Sequence, residues 1–131
     1  MKRRVNISSR AVWEDKVGYS RAVKVDNLVE ISGTTAVEGS VVIGIGDPYQ
    51  QTRFIIDKFA SVLKEAGGSL TDIIRVRIFV TDMSHWELVV KAFSEYFKDI
   101  KPAATLVEVN SLINKELLVE MEATAIIMGK K

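Results

Sequence analysis

The chain has 131 residues, 47% of them hydrophobic, which is enough for one domain with its own core over residues 1–131. Its 18 lysines and arginines nearly balance its 17 aspartates and glutamates, so the charge favours neither a nucleic-acid partner nor a membrane surface. The absence of cysteine excludes disulfides, thiolate catalysis and cysteine-bound metals. The basic start is not followed by the apolar run of a signal peptide, so we expect a cytoplasmic protein.

The first predicted element is a β-hairpin. β-formers at residues 23–25 and 28–31 flank the pair Asp26-Asn27, which favours a tight turn. The second strand ends at Ser32-Gly33. Residues 37–46 place β-formers between glycines, a pattern that fits a short edge strand as well as a loop.

Two amphipathic helices are predicted next. The first begins with Asp47 as its N-cap, carries one apolar stripe at helical spacing and ends at Gly67. The second begins with a capping box formed by Ser84 and Glu87 and ends before Pro102.

Three further strands complete the prediction. Ile73–Val80 lies between the helices, and residues 105–109 and 119–127 follow the second helix. In the last strand, apolar side chains alternate with Glu120 and Glu122, so one face of the sheet is apolar. The order β-β-α-β-α-β-β predicts an α+β fold in which both helices pack on one face of the sheet.

The opposite face of this sheet is predicted to be too apolar for plain solvent exposure. It carries Arg75, Arg77, Phe79, Glu120 and Glu122 beside further apolar side chains. We expect a second copy of the chain to cover it, with the arginines and glutamates as ion-pair partners in a closed homo-oligomer.

Few side chains in this sequence can carry chemistry. The single histidine, His85, cannot build a multi-histidine metal site or a Ser-His-Asp triad, and no phosphate-binding loop points to a nucleotide cofactor. Glu120 is an acid/base candidate or an ion-pair partner, and Tyr19 is a pocket hydroxyl or a packing residue. Ser32-Gly33 offers hydroxyl and amide groups to a ligand or forms a turn, and Trp86 roofs a cleft or seals a core edge.

Several short motifs occur in an order and spacing that match one known family from Tyr19 to Ala125. They are Gly18-Tyr19-Ser20, Val29-Glu30-Ile31-Ser32-Gly33-Thr34, Gln51, Ala66-Gly67-Gly68, Phe79-Val80-Thr81-Asp82, Tyr96-Phe97, Pro102-Ala103-Ala104-Thr105-Leu106-Val107-Glu108-Val109 and Val119-Glu120-Met121-Glu122-Ala123. Together these motifs resemble the RidA family, also called YjgF or endoribonuclease L-PSP.

The resemblance implies a chorismate-mutase-like α+β fold with one mixed sheet, and a homotrimer with small-molecule clefts between neighbouring subunits. It also implies hydrolysis of reactive 2-imino or 2-enamino acids to 2-oxo acids and ammonia, without a metal or other cofactor. By the same resemblance, the cleft residues are Tyr19, Ser32, Gly33, Trp86, Leu106 and Glu120.

One departure from the family pattern bears on the activity. Active members carry Arg at the position of Ala104, so the guanidinium that would clamp a substrate carboxylate is missing. Arg77 is the candidate replacement, with a structural ion pair as its alternative role.

Three functions are therefore considered for the chain. The first is hydrolysis, with Glu120 activating water, on a substrate that differs from the usual amino-acid imines, for example by lacking the carboxylate. The second is a non-catalytic trimer that binds a small molecule. The third, ribonuclease activity, is disfavoured because the chain has one histidine and no basic stripe.

Overall fold

The computed structural model describes residues 3–129. In chain order the elements are β1 (Arg4–Ile7), α1 (Val12–Val17), β2 (Ala22–Val25), β3 (Leu28–Thr35), β4 (Val37–Glu38), β5 (Val41–Val42), α2 (Pro48–Ala66), β6 (Ile73–Val80), α3 (Trp86–Phe97), β7 (Ala103–Glu108) and β8 (Val119–Ile126). Short 3₁₀ turns at Leu70–Asp72 and Met83–His85 precede β6 and α3.

The main sheet has the strand order β1-β2-β3-β8-β6-β7, and β4 pairs with β5 in a separate two-stranded hairpin. Its neighbours are antiparallel except for β6 and β7, which run parallel. Helix α2 packs on β3 and β8, and α3 packs against α2. The predicted α+β fold with one mixed sheet is therefore confirmed.

The predicted alternation of the central strands is confirmed. The β8 residues that are buried beneath the helices are Val119, Met121, Ala123 and Ala125. Val76, Ile78 and Val80 of β6 join them in the core, and Phe59 and Leu63 of α2 cover this layer. The other side of the sheet, here called the open face, carries Arg75, Arg77, Phe79, Thr105, Val107, Glu120 and Glu122.

The first long helix begins as predicted. The Asp47 carboxylate accepts a hydrogen bond from Gln50 N at 3.0 Å, and Gly67 ends α2 with a φ of 93°. The predicted capping box of Ser84 and Glu87 is wrong. The carboxylate of Asp82 instead accepts from Ser84 N at 2.9 Å, so Ser84 lies inside a 3₁₀ turn that leads into α3.

Two elements near the start of the chain carry no strong sequence pattern. In β1 only Ile7 is buried, and α1 is six residues long and largely exposed, so neither has the periodic apolar face that predicts an element. The segment at residues 37–46, for which a strand and a loop were both open, contains β4 and β5. Among residues 3–129, no helix has the length and apolar character that crossing a membrane requires.

A β-bulge interrupts β3 between Ile31 and Thr34. Ile31 lies opposite Ala123 of β8, whereas Thr34 lies opposite Met121, so β3 contains one residue more than its partner strand here. The buried residues of β3 are accordingly Val29 and Ile31 before the bulge and Thr34 after it, so the spacing between buried residues lengthens by one at the bulge. Ser32 and Gly33 form the bulge.

Candidate active site at Glu120 and Gly33

Glu120 lies in the middle of the sheet on the open face. Its backbone neighbours are Thr35 of β3 and Phe79 of β6, and its side chain is half-buried. The bulge brings Gly33 directly against the carboxylate: a methyl group on the Gly33 Cα would lie 2.5 Å from Glu120 Oε2. Gly33 does not have a positive φ, so space rather than backbone conformation requires glycine at this position.

The environment of Glu120 favours proton uptake. Burial raises the pKa of the Glu120 carboxyl, the positive charge of Arg21 opposes this rise, and the negative charge of Glu122 adds to it. A carboxylate with a raised pKa is a better proton acceptor near neutral pH than an ordinary glutamate.

Within one chain, the arginines and glutamates of the open face do not pair with one another. Among residues 3–129, neither Arg75 nor Arg77 lies within 4.0 Å of a carboxylate oxygen of Glu120 or Glu122. Arg75 instead donates to the Thr105 hydroxyl at 2.6 Å. Hence no arginine neutralises Glu120 by direct contact in the described part of the chain.

Tyr19 and Ser32 line an open groove of about 520 Å³ beside the bulge. The Ser32 hydroxyl donates to the Ser20 carbonyl oxygen at 2.7 Å. Its proton is therefore engaged, and it can serve a ligand only as a hydrogen-bond acceptor. The Tyr19 ring is partly exposed and lies beneath the guanidinium of Arg21, whose Cζ is 5.6 Å from the ring centroid.

Arg21 is the residue that the sequence reasoning missed. Arg21 O accepts a hydrogen bond from Ser32 N at 3.0 Å, so Arg21 extends the β2–β3 ladder one residue beyond the buried Ala22. Strand alternation therefore turns its side chain toward the open face. Arg21 Nη2 donates to the Gly33 carbonyl oxygen at 3.0 Å, so Arg21 and Glu120 meet at the same glycine.

The remaining predicted site residues lie on other elements of the chain, β6, α3 and β7. Arg77 is exposed on the open face, opposite Glu122 and Thr105. Trp86 is partly exposed at the start of α3, and Leu106 packs against the core from β7.

No metal site is formed by the described residues: nowhere in 3–129 do three His, Cys, Asp or Glu side chains come together in a group that could hold a metal ion.

Comparison with known proteins agrees with this architecture. The sequence profile of the family described as Endoribonuclease L-PSP matches residues 12–127. The chain is 37% identical over 110 residues to a RutC family protein of Pyrococcus abyssi, covering 82% of this chain and 84% of that protein. It is 33% identical over 108 residues to the 3-aminoacrylate deaminase RutC of Acinetobacter baylyi, covering 82% of this chain and 85% of that enzyme.

A solved structure is also closely similar. The crystal structure of Rv2704 from Mycobacterium tuberculosis, a member of the YjgF/YER057c/UK114 family, superposes with a TM-score of 0.86 at 40% identity. The match covers 95% of this chain and 99% of that one. Profile, relatives and fold agree with the motif resemblance, and the chain belongs to the endoribonuclease L-PSP family, the RidA or YjgF family.

Proposed function

We propose that this protein hydrolyses a reactive imine or enamine to a carbonyl compound and ammonia, with Glu120 as the general base. The observation that carries the proposal is the half-buried Glu120 carboxylate, which lies against Gly33 and has no ion-pair partner within 4.0 Å among residues 3–129. Such a carboxylate is available to a water molecule and to a cationic ligand.

The reaction requires few catalytic groups. Glu120 accepts a proton from water while the oxygen forms a bond to the iminium carbon, and the C=N π electrons move to nitrogen. The proton then passes to that nitrogen. As the C–N bond breaks and ammonia leaves, Glu120 takes the hydroxyl proton and the carbonyl forms. The iminium carbon is already electrophilic, so one positioned base and a polar setting supply the needed stabilisation.

The proposed reaction is supported by the activity named for one relative. RutC of Acinetobacter baylyi is named for the deamination of 3-aminoacrylate, an enamine, and is 33% identical to this chain. Ala104 distinguishes this protein from active members of the family it resembles, and its methyl group cannot bind an anion. Unless another cation takes the place of the missing guanidinium, we therefore expect a substrate range different from that of the usual amino-acid imines.

We further propose that the protein is a homotrimer whose clefts lie between subunits. The open face supports this, because Val107 is 40% exposed beside the half-buried Phe79 and the edge strand β7 is largely uncovered. In a trimer, residues such as Trp86 and Leu106 could complete the site of a neighbouring copy, which they do not do within one chain.

Ammonia release tests the proposed reaction directly. Imines are generated in place by an amino-acid oxidase, and the rate of ammonia release is compared with and without the protein. We expect acceleration by the wild type and at least about 100-fold less with Glu120→Gln, which removes the base. Glu30→Gln is the matched control. Glu30 of β3 faces the same side of the sheet as Glu120, but its carboxylate accepts a hydrogen bond from the Thr124 hydroxyl.

Equal rates for wild type, Glu120→Gln and the protein-free blank would contradict the proposal. The absence of Arg at position 104 favours one alternative, a non-catalytic binder. That function predicts thermal stabilisation by a small ligand without ammonia release.

A further inference from the structure

Arg21 is a buried cation with little local compensation. Its side chain is only 8% exposed, and its Nε is buried without a hydrogen-bond partner among residues 3–129. A guanidinium has five N–H donors, and the described contacts of Arg21 use one of them, on the Gly33 carbonyl. Burying such a charge without a counter-ion is costly, so it calls for a partner.

The acidic groups around Arg21 do not fill this role. Glu14 is buried and interacts with the charge of Arg21 at a distance, but its carboxylate already accepts hydrogen bonds from Ser8 Oγ, Ser9 N and Ser9 Oγ. Glu120 acts on Arg21 only at a longer distance, since no carboxylate in residues 3–129 lies within 4.0 Å of this guanidinium.

A second cation increases the local positive charge. Burial lowers the pKa of Lys58, and the charge of Arg21 lowers it further, so the two cations lie close enough to repel. Lys58 Nζ donates to the Val37 carbonyl oxygen at 2.8 Å, which gives it no negative charge in return. The charges of Glu38 and Glu14 partly offset this effect at Lys58.

We propose that Arg21 binds the carboxylate of this protein's ligand and so supplies, from the residue just before β2, the guanidinium that position 104 lacks. This inference rests on the proposed function and names its substrate class, an imine or enamine that carries a carboxylate. A guanidinium and a carboxylate match each other in charge and in planar, bidentate geometry.

The placement of Arg21 and Glu120 suits such a ligand. The two side chains reach Gly33 from different strands, one through the Gly33 carbonyl and the other at its Cα. A 2-imino acid has a negative carboxylate next to a positive iminium carbon. With its carboxylate on Arg21, its iminium carbon lies toward Glu120, where water is activated.

Binding of inert probes tests this assignment without any turnover. Calorimetry compares pyruvate, which has a carboxylate, with pyruvamide, its neutral analogue of similar shape. We expect the wild type to bind pyruvate at least about tenfold more tightly, and Arg21→Gln to bind both equally. Arg21→Lys keeps the charge but loses the planar fork, and should fall between them.

Two further arginines serve as comparisons on the open face. Arg75→Gln, which loses only its contact with Thr105, should keep the preference for pyruvate. A preference that survives in Arg21→Gln, or that disappears in Arg77→Gln instead, would overturn the assignment. So would a wild type that binds pyruvamide as tightly as pyruvate.

A measurement on the wild type covers the case in which Arg21→Gln does not fold. The ¹⁵N–¹H signal of Arg21 Nε, identified by its loss in Arg21→Lys, should shift on adding pyruvate and stay in place with pyruvamide. An unmoved signal would contradict the proposal. Ammonia release with an unchanged preference for carboxylates in Arg21→Gln would refute the Arg21 assignment alone, whereas probe discrimination without ammonia release would refute only the hydrolase.

Discussion

Gly33 shows how a single missing side chain makes room for a reactive one. In Gly33→Ala the new methyl group would displace the Glu120 carboxylate, which can turn away because it ends a flexible side chain. We expect kcat/KM for ammonia release to fall by about 100-fold, since small misplacements of a base are costly, while thermal unfolding changes little. If the effect runs through Glu120, Gly33→Ala added to Glu120→Gln causes no further loss. A large additional loss in the double variant would refute this reading.

The charge of Glu122 contributes to the pH range in which Glu120 works, together with burial and Arg21. Burial raises the pKa of Glu120, and the nearby Glu122 carboxylate raises it further. In Glu122→Gln the deprotonated base is easier to form, so the acidic limb of the pH profile of kcat/KM should move to lower pH. Arg21→Lys, which keeps the positive charge, should move it far less. A limb that stays in place in Glu122→Gln would show that Glu120 does not titrate in this step.

At the residue scale, the sequence predicts which face of a strand a side chain lies on better than it predicts which residues that side chain contacts. Glu120 and its face follow from strict alternation, which is a local property of a strand. Arg21 does not, because it precedes the strand and its direction depends on the pairing with Ser32. Trp86 and Leu106 were predicted as cleft residues from the family resemblance, and one chain alone does not bring them to Glu120.

At the scale of elements, Gln51 joins α2 to the start of the strand that carries Glu120. Its fully buried amide donates to the carbonyl oxygens of Gly44 and Glu116 and accepts from Leu118 N at 2.8 Å. Gln51→Leu removes all three bonds and should lower the free energy of unfolding by about 2 kcal/mol.

Chemical denaturation measures this change, with Gln50→Leu as the control, because Gln50 is exposed one position away on the same helix. We also expect weaker ammonia release by Gln51→Leu, since Leu118 lies two residues before Glu120. Equal stability of the two variants would show that water replaces the bonds of Gln51.

The elements themselves were predictable to different degrees. α2, β6 and β8 have long, regular apolar patterns and were found nearly to the residue, and Asp47 was identified as a cap. β1 and α1 have no such pattern; β1 is held by its pairing with β2, and α1 by the hydrogen bonds of Glu14 with Ser8 and Ser9. Contacts of this kind cannot be read from periodicity.

At the scale of the whole molecule, the proposed assembly through the open face can be tested. If copies pack through it, native mass spectrometry should give three times the 14.6 kDa of one chain. Val107→Lys on this face should reduce that mass, because a lysine would be buried at the junction. Leu88→Lys is the control: Leu88 is 45% exposed, close to the 40% of Val107, but lies on α3. Dissociation by both variants, or by neither, would contradict assembly through the open face.

The extra residue in β3 constrains how this family member can change. Removing one residue between Ile31 and Thr34 would restore regular pairing, because a single residue would then lie opposite Glu122 and Thr34 would remain opposite Met121. Thr34 would stay in the core, but no backbone would be left bowed out beside the Glu120 carboxylate. A one-residue deletion at this point would therefore remove the site without changing which side chains of β3 face the core.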